Sequence, residues 1–204
     1  VLKLDHIAVL GETLEEGTAL VEGKLGAPLH PGGKHPHFAT HNALIGVGDG
    51  QYIEVIANDP AAPPPPYARW FGLDTFKGVA RLDKWICRVP DMAAALAALP
   101  MAGRPVALSR GTLNWVMSVP DDGLLPFDGL FPALIEWQSP VPPGYALPEA
   151  GWRLGELEIC HPEAEALRAL LTPHLDEPRV QFRTTTTPGL AAHLRGANGA
   201  AVVL

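Results

Sequence analysis

Leu4-Asp5-His6-Ile7-Ala8-Val9-Leu10 decides how the chain is read, because the chain writes it again. Leu82-Asp83-Lys84-Trp85-Ile86-Cys87-Arg88 begins 78 residues later, and Leu154-Gly155-Glu156-Leu157-Glu158-Ile159-Cys160 another 72 residues on. Each copy is apolar enough for a buried strand and runs into a helical pattern at the same offset. Repetition at a fixed period marks an architecture of repeated units. The third position of the strand is then a natural place for chemistry, and it reads His6, Lys84 and Glu156.

Working outward from the first copy, side chains on a strand alternate between faces. Leu4, His6, Ala8 and Leu10 fall on one side and Asp5, Ile7 and Val9 on the other. Thr13 and Glu16 make a capping box, which starts a helix. Leu14, Thr18, Val21 and Leu25 follow at helical spacing and Gly26 closes it. Residues 27–38, rich in Pro, Gly and His, read as a loop. Thr40 to Val47 and Gln51 to Ile56 read as strands joined by the turn Gly48-Asp49-Gly50.

The second copy repeats this order. Asp91 caps a helix with Met92, Ala95, Leu96 and Leu99 on its stripe. Arg104 to Ser109 is a strand, Thr112 to Val119 echoes Thr40 to Val47 with its T-x-N, and Ala133 to Trp137 echoes Gln51 to Val55. In the third copy Glu163 stands at the cap of a helix with Ala164, Leu167 and Leu171. Val180 to Thr186, Leu190 to Arg195 and Ala200 to Leu204 supply short strands. The fold class is therefore α+β, with βαβββ written three times. Module 1 spans residues 1–60, a Pro-rich linker with an aromatic connection 61–80, module 2 81–140 and a shorter module 3 151–204.

Composition bounds the function. A content of 47% hydrophobic and 18% charged residues describes an ordinary globular chain. A formal charge of −7 without a Lys/Arg cluster excludes a nucleic-acid surface. No apolar run reaches the ~20 residues that span a bilayer. Cys87 and Cys160 lie in apolar strand contexts and read as buried free thiols in a cytoplasmic protein.

Taken together, these residues resemble the vicinal oxygen chelate superfamily (glyoxalase, bleomycin resistance and extradiol dioxygenase proteins). Within it the chain is similar to the glyoxalase-like domain families. The likeness rests on Leu4 to Val9, Asn42-Ala43-Leu44, Tyr52-Ile53-Glu54, Arg81 to Trp85 and Leu134-Ile135-Glu136-Trp137, and covers nearly the whole chain. It implies two βαβββ modules curling into a half-open cup with the helices outside. In catalytic members a divalent metal sits there, held by the first and last strands of each module, which correspond to His6, Glu54, Lys84 and Glu136. Alternation also turns those four inward together, away from Ile7, Val9, Ile53, Val55, Ile135 and Trp137. Thr40, Asn42, Asn114 and Ser118 join them if the T-x-N strands keep the same alternation.

Lys84 departs from the metal-binding pattern, because a charged ammonium has no lone pair to give. Two readings stay open. His6, Glu54 and Glu136 could hold Zn, Mn or Fe with water completing the shell. Alternatively, Lys84 neutralises Glu54 and Glu136 with no metal. The expected role is binding a small oxygenated molecule in the cup, with lyase, isomerase or dioxygenase-type chemistry. Glu136, Glu54 and Lys84 would be catalytic; Asn42, Asn114, Ser118 and His35 would touch substrate. The alternative is a metal-free sequestering protein. The His30 to His41 loop lacks the spacing of structural metal sites and reads as a lid. The third module carries Glu156 and Glu158 but no carboxylate on its last strand, so it reads as structural, pairing its edge with a second copy in a homodimer.

Overall fold

The computed structural model describes all 204 residues, Val1–Leu204. The first copy forms β1 (Lys3–Leu10), α1 (Leu14–Leu25), β2 (His30–His35), β3 (Thr40–Gly46) and β4 (Tyr52–Asn58). Thr13 Oγ1 accepts from the Glu16 amide and Gly26 closes α1 in the left-handed conformation, as the capping signals require. The second copy forms β5 (Arg81–Arg88), α2 (Met92–Ala98), β6 (Arg104–Arg110), β7 (Leu113–Val119) and β8 (Ala133–Trp137). A single turn, α3 (Pro143–Ala146), leads to β9 (Trp152–His161), α4 (Ala164–Leu171), β10 (Val180–Thr184), β11 (Gly189–Gly196) and β12 (Ala201–Val203).

Residues 30–35 are a strand, not the loop that their Pro and Gly content predicts. β2 lies at a sheet edge, where missing or irregular ladder bonds are tolerated, and its pairing with β3 shifts register between Pro31 and Gly33.

The first two copies make one eight-stranded sheet in the order β2-β3-β4-β1-β5-β8-β7-β6. β1 runs parallel to β4 and β5 parallel to β8, while β1 and β5 pair antiparallel at the centre. The sheet curls until its two edges approach. Arg110 at the end of β6 reaches the Asn42 side chain on β3, at 3.2 Å.

The third copy keeps the βαβββ element order but not the strand arrangement. β9 pairs in parallel with β10, the strand directly after its helix, in a separate sheet ordered β10-β9-β11-β12. That sheet is tied to the first module. Trp152 Nε1 donates to the Leu25 carbonyl, Lys24 Nζ to the Val203 carbonyl, and Leu2 exchanges backbone bonds with His174 and Asp176. One continuous core runs from Leu4 and Trp85 through Leu154, Leu157 and Ile159 to Leu167. The apolar faces of the second sheet and of the first module are thus buried against each other within the chain. At about 1.5–3 kcal/mol per buried large apolar side chain, this docking is a substantial part of the core. Cys87 is buried, but Cys160 is half-buried. No helix is long and apolar enough to cross a membrane.

The last strand of module 2 corrects the inward placement of Glu136. Its carboxylate accepts from the Met92 amide at 2.6 Å, on the helix side, so it caps α2. Ile135 and Trp137 face the cup instead. Glu136→Ala is expected to lower stability by about 1 kcal/mol, the usual cost of a lost helix cap, with ligand binding in the cup unchanged. Urea unfolding and a binding titration on the same variant test both halves.

Candidate functional site

The cup holds a narrow cleft with one polar and one apolar wall. Module 1 supplies the polar wall, chiefly His6, His35, Asn42, Tyr52 and Glu54; module 2 supplies Trp115, Met117, Ile135 and Trp137. Trp70 and Phe71 of the linker close one end, and Arg110 reaches across the gap between the sheet edges. About 400 Å³ lies between the walls including the mouth, of which only about 30 Å³ is free for a water-sized body. A ligand larger than water must therefore move a side chain, and Arg110, the half-buried one bridging two edges, is placed to move.

The centre of the polar wall is a carboxylate–imidazole–carboxylate array. His6 Nδ1 lies 2.7 Å from Asp5 Oδ1 and Nε2 lies 3.4 Å from Glu54 Oε2. An ionised carboxylate only accepts, so both ring nitrogens must carry protons to satisfy both neighbours. Burial pulls the His6 pKa down, yet the hydrogen bonds and charges of Asp5 and Glu54 together outweigh it and hold it at about 9. His6 is thus an imidazolium at neutral pH. Burial pushes the Glu54 carboxyl up, but the His6 bond and charge, helped by Asn42, leave it below the ordinary range. Asn42 Nδ2 donates to Glu54 Oε1 at 2.7 Å, and the Tyr52 ring stacks on His6 at 4.4 Å.

Asp5 reaches this array through a β-bulge. The β1–β5 register slips between Leu4 and His6, and an extra residue there breaks strict alternation. The Asp5 carboxylate consequently accepts from His6 and from Trp137 Nε1 at 3.0 Å, with the Arg88 guanidinium beside it at 3.2 Å, instead of facing the helices with Ile7.

His35 plays a different part. Burial, aided by the Arg110 charge, lowers its pKa to about 4 against the opposing pull of Glu54. It is neutral, its Nδ1 facing Thr40 Oγ1 at 3.0 Å and its Nε2 accepting from Arg110 at 3.3 Å. Glycine is required at two places beneath this cluster. A Cβ at Gly32 would overlap the Asn42 amide, and one at Gly33, where φ is +141°, would crowd the Arg110 stem.

The structure brings together His6, Glu54, Asn42 and His35 of the residues expected to line the site. It separates the others. Asn114 is exposed, and its side chain turns back to the Thr112 carbonyl. Ser118 Oγ accepts from the Leu134 amide on the outer face. Both errors have the cause that misplaced Glu136: the T-x-N echo is one residue out of phase on β7, and a one-residue slip exchanges the faces of a strand. Lys84 lies in a separate pocket, with Nζ on the Asp83 carboxylate and carbonyl, because Phe71 stands between it and the cleft. Asp5, Tyr52, Arg110 and the tryptophans were missed. Asp5 carried a signal, being a charge inside an apolar strand like Glu54; Arg110 carried none, since only the curl of the sheet brings it near.

The family model described as glyoxalase-like domain matches residues 4–175. The chain belongs to this family, within the vicinal oxygen chelate superfamily. A hypothetical protein from Staphylococcus aureus shares the fold over 100% of this chain and 98% of its own, with 13% identity and a TM-score of 0.64. Methylmalonyl-CoA epimerase from Mycobacterium tuberculosis matches over 67% of this chain and 87% of its own, with 20% identity and a TM-score of 0.44. The Streptomyces coelicolor epimerase in complex with 2-nitronate-propionyl-CoA matches over 70% and 98%, with 16% identity and a TM-score of 0.45. Comparison with curated proteins gives no match.

Members of the superfamily often use a divalent metal in the cup, and the donor set here does not fit one. The polar wall offers His6 and Glu54, already bonded to each other, and His6 has both nitrogens engaged. Glu136 faces α2, and the module 2 wall is two tryptophans, a methionine and an isoleucine, with no hard donor. The acid and imidazole side chains spaced closely enough for a metal are Glu156, Glu158 and His193 in the second sheet, their ligand atoms within 4.8 Å of one another. There Arg183 already pairs with both carboxylates.

Proposed function

We propose that this protein binds a small oxygenated anion with a flat apolar body in the cleft and moves a proton on it without a metal. The observation that carries this reading is the buried Asp5–His6–Glu54 array facing an Arg110 guanidinium across a wall of Trp115 and Trp137. The tryptophans suit a planar body. Arg110 spends one nitrogen on Asn42 and His35 and has further donors for a substrate carboxylate or enolate oxygen. Glu54 takes a proton from carbon beside a carbonyl, Arg110 stabilises the oxyanion that develops, and the His6 imidazolium returns a proton where the product needs it. That sequence completes an isomerisation, and its deprotonation step alone is the first half of a lyase reaction. All of these groups come from one chain, so the reading needs no second copy.

One observation favours a second reading, a non-catalytic sequestering protein. His6 and Asn42 hold Glu54 ionised, and a carboxylate stabilised in that way is a weak base. Deuterium exchange separates the two. A panel of arylmethyl and alkyl 2-oxo acids is incubated with the protein in D₂O and followed by proton NMR. Wild type is expected to exchange the proton beside the carbonyl of at least one member, and Glu54→Gln to lose about 10²–10⁴ of that rate, the usual share of a general base, while quenching of Trp115 and Trp137 fluorescence shows that binding persists. Binding without exchange in wild type supports the sequestering reading and sinks the catalytic one.

A further inference from the structure

Lys84 is the buried charge that the cleft does not use. Its side chain is about 6% exposed, and its ammonium has two partners, the carboxylate and the carbonyl of its own neighbour Asp83. An ammonium carries three donors, so one N–H is left to the pocket that Lys84 lines. A buried charge held only by its sequence neighbour is poor use of core space, since an apolar side chain of that size packs as well.

The pocket is built for a guest. It is an open depression spanning about 1110 Å³ with the solvent at its mouth, and Phe71, Phe76, Leu124 and Leu125 are its apolar walls. Lys77 and Arg81 stand on its rim, and Thr75 lines it with its hydroxyl donating to the Gly72 carbonyl. The two carboxylates in its lining are already engaged: Asp83 with Arg81 and Lys84, Asp128 with His161 Nε2 at 2.9 Å. Lys77 pairs with Glu12 at 3.7 Å, so the donor left unspent inside the pocket is the third N–H of Lys84. Its walls are also held in conformations that side chains rarely adopt. Phe71 has φ of 59° and Asp128 has φ of 54°, strain that persists only where the surroundings fix it and that gathers at functional sites. Gly129 passes directly over the lysine, and a Cβ there would lie 2.8 Å from Nζ.

We propose that this pocket is a second binding site, for a compact oxyanion (carboxylate or phosphate) on an apolar body, with Lys84 as its anchor and Phe71 as the wall it shares with the cleft. The site is independent of the reaction in the cleft, and neither needs the other to be right.

The test follows the backbone amides of Gly72 and Gly129 by ¹H–¹⁵N NMR during titration with benzoate, phenyl phosphate and neutral benzamide. Saturable shifts are expected with one or both anions and not with benzamide; the stronger anion identifies the source chemistry. Lys84→Met is expected to weaken binding about tenfold, the loss of one charge-assisted bond, whereas Lys84→Arg and Arg110→Met retain it. Equal shifts with benzamide, no saturable shift with either anion, or undiminished binding by Lys84→Met overturns the proposal. Should Lys84→Met fail to fold, the anion-against-benzamide comparison on wild type decides alone.

Discussion

Asp5→Ala is expected to lower stability by roughly 3–5 kcal/mol, the range for removing one partner of a buried charge network. One carboxylate here accepts from two donors, His6 Nδ1 and Trp137 Nε1, and pairs with the Arg88 guanidinium. Its loss leaves an imidazolium and a guanidinium facing each other's neighbourhood without the anion between them. The effect reaches the site as well as the fold. Burial alone drives the His6 pKa down and Asp5 is the first of the groups that oppose it, so the imidazole of the variant should titrate well below about 9. Urea unfolding measures the first effect and the His6 Cε1 proton shift against pH the second. A variant as stable as wild type would mean that the bulge carries Asp5 for no structural reason.

Stability against pH is expected to form a narrow dome with its top near pH 6.5. His6 has a folded pKa of about 9 against an ordinary 6.5, so the folded state holds the proton more tightly. That contribution is complete below about pH 6.5 and is lost as pH rises through about 9. His35 has the opposite sign. Its folded pKa of about 4 means that unfolding takes up a proton between 4 and 6.5, so its contribution is complete above about 6.5 and is lost as pH falls toward 4. Each shift is on the order of 3 kcal/mol across its window. Glu54, held below its ordinary value, adds to the loss on the acid side. Urea midpoints taken from pH 4 to 10 trace the dome. His6→Gln should flatten the alkaline limb and His35→Gln part of the acid one; an alkaline limb unchanged in His6→Gln would remove His6 as its cause.

Functionally, the cleft differs from a metal cup in the way its two halves are made. The repeat gives both modules the same element order, yet one wall is charged and hydrogen-bonded and the other is aromatic. On the proposed reading, such a cleft would hold a flat molecule by its body and act on its polar end. The charges in the polar wall are organised beforehand around Asp5 and Glu54, so the rearrangement that a ligand requires falls on Arg110.

The amino-acid sequence by itself determined the units. The recurring strand, the Thr13 and Asp91 caps, Gly26 and the hairpin turns are local signals, and each needs only a few neighbouring residues to act. It also determined that His6 and Glu54 meet, because β1 and β4 belong to one unit and their faces are set by alternation over a few residues. Tertiary structure alone decided the rest. Alternation fails at a bulge, and so Asp5 joins His6. Phase carried from one module to the next accumulates slips, and so Glu136, Asn114 and Ser118 end on the outer face while Trp115 and Trp137 turn in. Arg110 meets Asn42 across a gap closed by the curl of eight strands, and Phe71 parts Lys84 from the cleft because a linker folds into the cup. Contacts between residues far apart in the chain depend on how the sheet twists and where its edges come to lie, and no short pattern of residues encodes that.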